Sequence, residues 1–355
     1  MISHPIRLLG LAAALTLLFQ GGREATAQFP KKPRGLEPSK VLKAHTDFVR
    51  GVAFSPDGKT LASAGEDLAL VWDVATGKPL HRLEPEGDSP KAHQVAFAPD
   101  GKTLAVGGVS GHVNFWDPAT GKLQGKFHDP QLACLALAYS PDGTTLATTH
   151  DQKDLMLYDV KAAKLRATIP GGKESFKSCA FTHDGKALAT ISDEALTFWD
   201  AATQKPRKSV AVPGNKANLA SFRAVACSPA TPIAATFGGD FTTQKAALWD
   251  TATFKERGTL KTAQFEPSID SLCFSPDGKR IASGASAEEP DRHQVTLWDA
   301  TTGKRLSTLE GPTDKISQIA FSKDGLLLAA SSLGKDHAVH LWDLAKRKAP
   351  ARKKN

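Results

Sequence analysis

The strongest constraint on this chain is a dipeptide that returns at nearly constant spacing. Trp-Asp stands at Trp72-Asp73, Trp116-Asp117, Trp199-Asp200, Trp249-Asp250, Trp298-Asp299 and Trp342-Asp343, and Tyr158-Asp159 fills the one gap in the series. The intervals are 44, 42, 41, 50, 49 and 44 residues. Periods of this size mark repeat architectures, in which one unit cannot bury its apolar face alone and neighbours stack to bury a continuous core. The 355 residues therefore read as seven copies of one unit, although length by itself would equally suit two unrelated domains.

Each unit has the same internal order, clearest in the first. Phe48 to Ser55 alternates apolar and polar, Pro56-Asp57-Gly58-Lys59 makes a turn, Thr60 to Ala64 alternates again, and Leu68 to Trp72 leads into a second turn at Ala75-Thr76-Gly77-Lys78. Asp-Gly predicts a tight hairpin with positive φ at both central residues. It returns at Asp100-Gly101, Asp142-Gly143, Asp184-Gly185, Asp277-Gly278 and Asp324-Gly325. Short period-two segments separated by turns mean four antiparallel strands per unit and an all-β chain.

These residues resemble the WD-repeat family of β-propellers, in which four-stranded blades stand around a central channel. The resemblance runs from about Lys40 to Leu344 and is reinforced by Ser-Pro-Asp-Gly-Lys turns at 55–59 and 275–279. It implies a single seven-bladed β-propeller of four-stranded antiparallel blades, closed by the N-terminal outer strand. Seven outer-strand candidates (Lys40 to Ala44, Pro79 to Leu83, Lys122 to Phe127, Lys164 to Ile169, Pro206 to Val212, Phe254 to Leu260, Lys304 to Leu309) are found. Since no outer strand follows the seventh Trp-Asp, Lys40 to Ala44 is left to complete the last blade and cover its open edge. The first unit also matches the family's hydrogen-bonded tetrad, at His45, Ser63, Asp67 and Trp72. The equivalent of Ser63 is Val106 in the second unit and Ala330 in the last, and no other unit has a His where the first has His45.

Net charge is +8, but its distribution removes the obvious inference. Residues 1–40 hold six basic groups against two acids and residues 344–355 hold six against none, which leaves the body between them at −2. A body of that charge does not hold a phosphate backbone, so nucleic-acid binding by the propeller is not expected. The ends carry other readings. One fixed charge at Arg7, the uncharged run Leu8 to Phe19 and then Ala25-Thr26-Ala27 form a signal-peptide layout. Twelve helical residues rise about 18 Å against an apolar membrane core of about 30 Å, which favours a cleaved signal over a permanent span. The expected organisation is a signal peptide at 1–27, a Pro-rich linker at 28–39, the propeller at 40–344 and a basic disordered tail at 345–355. Export to the periplasm, the cell envelope or the medium follows. The tail is suited to anionic surfaces.

The motifs of enzymes are missing. His-Glu-x-x-His, Gly-x-Ser-x-Gly and Cys-x-x-Cys do not occur, and Gly58-Lys59-Thr60 and Gly101-Lys102-Thr103 lack the first glycine and the helix of a phosphate loop. The set of His45, Asp67 and Ser63 is spaced as a brace within a blade and lacks a nucleophile elbow, so it is not read as a hydrolase triad. No catalytic residue, metal ligand or cofactor is assigned. Cys134, Cys179, Cys227 and Cys273 fall in the innermost strands of four successive units, as small packing thiols.

The long intervals, 50 and 49, mark insertions in units five and six, and the resemblance implies that they lie on the usual binding face of the family, the one that carries the outer-to-inner loops and the loops between second and third strands. Asp240, Phe241, Lys245, Glu288, Glu289, Asp291, Arg292 and His293 lie there and are the candidate partner-binding residues, because loops carry function more often than the scaffold does. A wider surface around the channel mouth would add His93, His150 and Lys315. The expected function is a non-enzymatic scaffold, monomeric, that binds a protein or peptide. The alternative is an enzyme or small-ligand binder with its site at the channel mouth.

Overall fold

The computed structural model describes residues 35–85, 91–128, 133–151, 154–171, 175–211, 221–239, 245–261, 268–286, 293–312 and 314–346. The signal-like segment and most of the basic tail lie outside them. From Gly35 onward the described chain forms seven four-stranded antiparallel sheets. Blade one runs from the inner to the outer strand through Val49–Phe54, Thr60–Gly65, Ala69–Asp73 and Pro79–Leu83. The inner strands contact one another in sequence, and the seventh contacts the first, so the ring is complete.

Closure comes from the N-terminal side. Lys40–Lys43 is the outer strand of blade seven, paired antiparallel to Ala338–Asp343 with Leu42 opposite Val339. Leu42 is buried there, and Ser39 N–H donates to the Leu341 carbonyl at 2.7 Å. Residues 35–39 are tied down as well. Leu36 makes a parallel bridge to Leu309 in the outer strand of blade six and packs against the apolar cluster around Trp342, while Gly35 N–H donates to Glu310 Oε1 at 2.6 Å.

The Asp-Gly turns differ from the two-residue hairpin that the dipeptide suggests. Only the glycine has positive φ, +71° at Gly58, while Asp57 does not. The loop has four residues, closed by Ser55 N–H to the Thr60 carbonyl and Gly58 N–H to the Ser55 carbonyl. Asp57 Oδ1 accepts from Ser55 Oγ at 2.6 Å and from Lys59 N–H at 3.0 Å, so the aspartate serves as an internal cap instead of adopting a left-handed backbone. The Asp of each Trp-Asp ending has the same role at the next turn. Asp73 Oδ1 accepts from Thr76 N–H and Oγ1, both at 2.6 Å, and Asp200, Asp250 and Asp299 repeat the pattern on Thr203, Thr253 and Thr302.

The second strand of each blade also departs from simple alternation. Leu61 to Gly65 is buried throughout, because neighbouring blades stack on both faces of the sheet. Both faces must then be apolar or small, and what alternates is size, with Leu61 on one side and Ala62 on the other. Outer strands show the reverse, with exposed residues such as Leu80 and Leu165. Trp72, Trp298 and Trp342 are among the largest fully buried side chains and lie in the core between blades. Tyr158, in the place of a tryptophan, stacks on Phe127 of blade two at 4.1 Å between centroids. The described helix is one 3-10 turn, Leu344–Lys346.

Candidate functional site

Blade one carries a buried polar chain. Trp72 Nε1–H donates to Ser63 Oγ at 2.8 Å, Ser63 Oγ lies 2.6 Å from His45 Nε2, and His45 Nδ1 lies 2.7 Å from Asp67 Oδ1. A carboxylate accepts only, so the proton sits on Nδ1, and Nε2 accepts from the serine hydroxyl. Asp67 also receives Thr46 N–H at 2.7 Å and Leu68 N–H at 2.8 Å. Burial pushes the Asp67 carboxyl up, yet these hydrogen bonds together with His45 hold it well below the ordinary carboxylate range. Ser63 and the His45 ring are fully buried, and the serine lone pair faces an indole N–H. A nucleophile needs access to substrate, so this set can brace a blade but cannot perform acyl transfer.

The other blades meet the same requirement in different ways. Trp199, Trp249 and Trp298 donate to Thr190, Thr236 and Ser283 at 2.8 to 2.9 Å. In blade seven, where Ala330 removes the hydroxyl, Trp342 turns to the Glu310 carbonyl at 2.8 Å. There His340, on the third strand, meets Asp336 at 2.8 Å, and Asp336 accepts from Ser332 at 3.0 Å. In blade two, Val106 removes the acceptor and Trp116 Nε1 stays unpaired, beside a buried Asn114 whose amide has no partner on either atom. His150, expected near the channel mouth, is instead fully buried against Thr148 at 2.6 Å.

Of the eight candidate partner-binding residues, Asp240, Phe241, Glu288, Glu289, Asp291 and Arg292 lie outside the described residues. Lys245 is engaged within its own blade, with Nζ 2.8 Å from Glu256 Oε2. His293 is half-buried near Asp314 and Lys315, and burial lowers its pKa.

The channel mouth on this loop face has a feature that sequence inspection missed. Six of the seven inner strands carry a β-bulge at their loop-face end, with Arg50, His93, Leu135, Arg223, Asp270 and Ser317 as the extra residues. A bulge re-aims its side chain, so these positions set the chemistry of the rim. Arg50 Nε donates to Glu66 Oε1 at 2.8 Å, and Lys91 Nζ donates to Glu66 Oε2 at 3.0 Å. Lys177 pairs with Asp193, and Arg223 NH1 reaches Asp270 at 3.5 Å. Burial, then the nearby Arg50 and Lys91 charges, press the His93 pKa down to about 4. Beside Arg50 stands Phe48, 38% exposed, with the His337 ring 6.0 Å away. The signal for this site was the residue just inside each inner strand, which period-two reading treats as ordinary strand.

The four cysteines sit in successive inner strands and are free, and burial raises their pKa values, that of Cys179 to about 12. On the turn face, blades three and four leave a cavity of about 280 Å³ floored by Leu157, Ile169 and Leu188 and edged by Arg166, His183 and Trp199. Among the described residues, no group of three His, Cys, Asp or Glu is placed to hold a metal ion.

Comparison with known proteins agrees with this geometry. The family described as "WD domain, G-beta repeat" matches residues 36–73, 77–117, 255–299 and 303–343, each holding the outer strand of one blade and the three inner strands of the next, in blades one, two, six and seven. A 45-residue stretch is 51% identical to Small ribosomal subunit protein RACK1z of Arabidopsis thaliana, covering 12% of this chain and 14% of that protein. Over 92 residues the chain is 35% identical to Target of rapamycin complex subunit wat1 of Schizosaccharomyces pombe, 25% of this chain and 26% of that one. Over 86 residues it is 29% identical to Periodic tryptophan protein 2 homolog of Schizosaccharomyces pombe, 24% of this chain and 9% of the relative. The chain thus spans between about a tenth and a quarter of the length of these relatives. With seven Trp-Asp or Tyr-Asp endings, seven blades in a closed ring and four units matched by the family, the chain is a seven-bladed β-propeller that carries WD repeats.

Proposed function

We propose that this propeller is an exported, non-catalytic scaffold that binds another protein or peptide on its loop face. The observation that carries the reading is a contrast between two sites. The Ser63 hydroxyl and the His45 ring of blade one are fully buried, with Asp67 at their loop edge, while the rim of the loop face displays charged side chains and an exposed aromatic, groups that dominate protein interfaces. Two of the relatives are named as a subunit of a complex and as a ribosomal subunit protein, and both names describe parts of assemblies. The loops of blades five and six remain the proposed extension of that surface, with Phe241 as apolar anchor and Arg292, Glu288 and Glu289 as charges that tune association rate and salt dependence.

Export is supported by the Leu8 to Phe19 run and the Ala25-Thr26-Ala27 site, and cleavage is proposed after Ala27. The intact mass of the secreted protein tests it, since a chain still starting at Met1 in the membrane fraction contradicts cleavage. The scaffold reading is tested by affinity capture from the native source, with mass spectrometry of what co-purifies. A stoichiometric partner supports it. A purified protein that retains a metal or cofactor and nothing else favours the enzyme alternative.

A further inference from the structure

We propose that the corner of the loop face where blades seven, one and two meet is a docking site for an acidic peptide segment, whose carboxylate binds Arg50 and Lys91 while a neighbouring apolar side chain rests on Phe48. This rests on the scaffold reading and names the chemistry of its partner.

Three observations converge on this corner. The first is charge. Among the described residues, Lys177 and Arg223 are each matched by one carboxylate, Asp193 and Asp270, but Arg50 and Lys91 share the carboxylate of Glu66. Both cations are partly exposed, 34% and 43%, whereas Glu66 is only 15% exposed, so an incoming anion meets the donors and not the acid. His93, the extra residue of the blade-two bulge, lies close enough to both cations to feel their charge and adds a third nitrogen-bearing group at the rim. A guanidinium and an ammonium already converging on one carboxylate are set for a second.

The second observation is the anchor. Among the described residues, Phe48 is the only aromatic among the exposed large apolar side chains; of the aliphatic ones, Val41, Leu80, Leu165 and Leu306 lie on outer strands and Leu326 on an Asp-Gly turn, away from the mouth. The Phe48 carbonyl accepts Glu66 N–H at 3.0 Å, which fixes the anchor to the residue that collects the two cations. Asp47 Oδ1 accepts Phe48 N–H at 2.8 Å and orders the loop from the other side.

The third is backbone strain next to the anchor. His337, whose ring faces Phe48, has φ of +47°, a left-handed conformation that is costly for a residue with a side chain. Such strain persists where surrounding structure holds it, and functional surfaces are a common place for it.

The test uses the full chain and a labelled synthetic peptide of Glu and Asp with one central Phe, titrated by fluorescence anisotropy at low salt. Saturable binding is expected, and Arg50→Gln with Lys91→Gln should weaken it by at least about tenfold. Phe48→Ala, which leaves the charges alone, should weaken it several-fold. The paired cations are the control, because Lys177→Gln with Arg223→Gln should leave affinity within about twofold if the surplus at one corner decides binding. Thermal melts of each variant separate lost binding from lost fold, and Phe48→Ala stands in if the double variant melts early. Failure to bind, equal weakening by the control pair, or preference for a matching Lys peptide overturns the proposal. Attachment to anionic phospholipid vesicles that Arg50→Gln with Lys91→Gln abolishes and that the peptide does not displace also overturns it, in favour of a membrane surface, whereas attachment that survives the double substitution belongs to the basic tail. Captured partners that survive the double substitution would leave the scaffold reading intact and remove this site alone.

Discussion

At the scale of single residues, the chain shows what one hydroxyl does inside a sheet. Ser63 joins an indole N–H to an imidazole, so truncating His45 strands Asp67 or Ser63 in a buried place. His45→Ala should lower stability by about 1 to 3 kcal/mol, read from the urea midpoint at unchanged m-value. Blade two supplies the inverse experiment. Val106 occupies the equivalent position, and Trp116 and Asn114 are left without partners. Val106→Thr keeps the volume and installs the acceptor that Thr190 and Thr236 provide elsewhere, so stability should rise by about 1 kcal/mol instead of falling as a buried polar substitution usually makes it. His93 gives a pH signature. Its pKa falls from 6.5 to about 4 on folding, so the unfolded chain takes the proton first as pH drops. Its contribution is complete above pH 6.5 and is lost between there and pH 4. With its outer edge wet, the loss should be about 1 to 2 kcal/mol, and His93→Gln should flatten the stability profile across that window.

At the scale of elements, the repeat is written in its turns as much as in its strands. Asp57 and Asp73 cap two different turns through the same device, a carboxylate accepting from a hydroxyl and a backbone N–H. That is why an aspartate recurs both before Gly and after Trp. Gly58 has room for a methyl group on every side but sits at φ +71°, so Gly58→Ala should cost about 1 kcal/mol from backbone conformation alone. Gly125, in an outer strand with equal room and no positive φ, should be neutral or gain a few tenths of a kcal/mol as alanine. A pair of urea titrations compares the two, and equal effects would show that space, not φ, governs the turn.

For the whole molecule the decisive contact joins residues some 300 positions apart. Lys40–Lys43 completes blade seven, and Leu36 carries the same segment onto blade six. Each blade buries both faces against its neighbours, so losing one edge strand exposes the apolar side of blade seven and loosens the ring there. Deleting residues 28–44 should lower the melting temperature far more than deleting 345–355, which removes a basic tail beyond the last Trp-Asp ending. Equal melting temperatures would mean that the ring does not depend on this strand.

The number of blades, their four-strand order, the offset closure and the members of the blade-one brace were all legible in the amino-acid sequence. The first two follow from periodicity and turn residues, which are local properties of the chain, while the offset closure and the brace follow from the resemblance to the WD-repeat family. Tertiary structure decided the rest. The second strands read as alternating because large and small residues alternate, and only stacking of blades on both faces shows that positions such as Leu61 to Gly65 are all buried. His150 reads as a polar residue near a loop, yet its neighbours enclose it. Arg50, Lys91 and Glu66 come from three different segments and become one cluster only when a bulge turns Arg50 toward the loop that holds Glu66 and the ring brings blade two alongside. Such a cluster depends on the angle between blades and on one extra residue in a ladder, and neither quantity is carried by any single stretch of sequence.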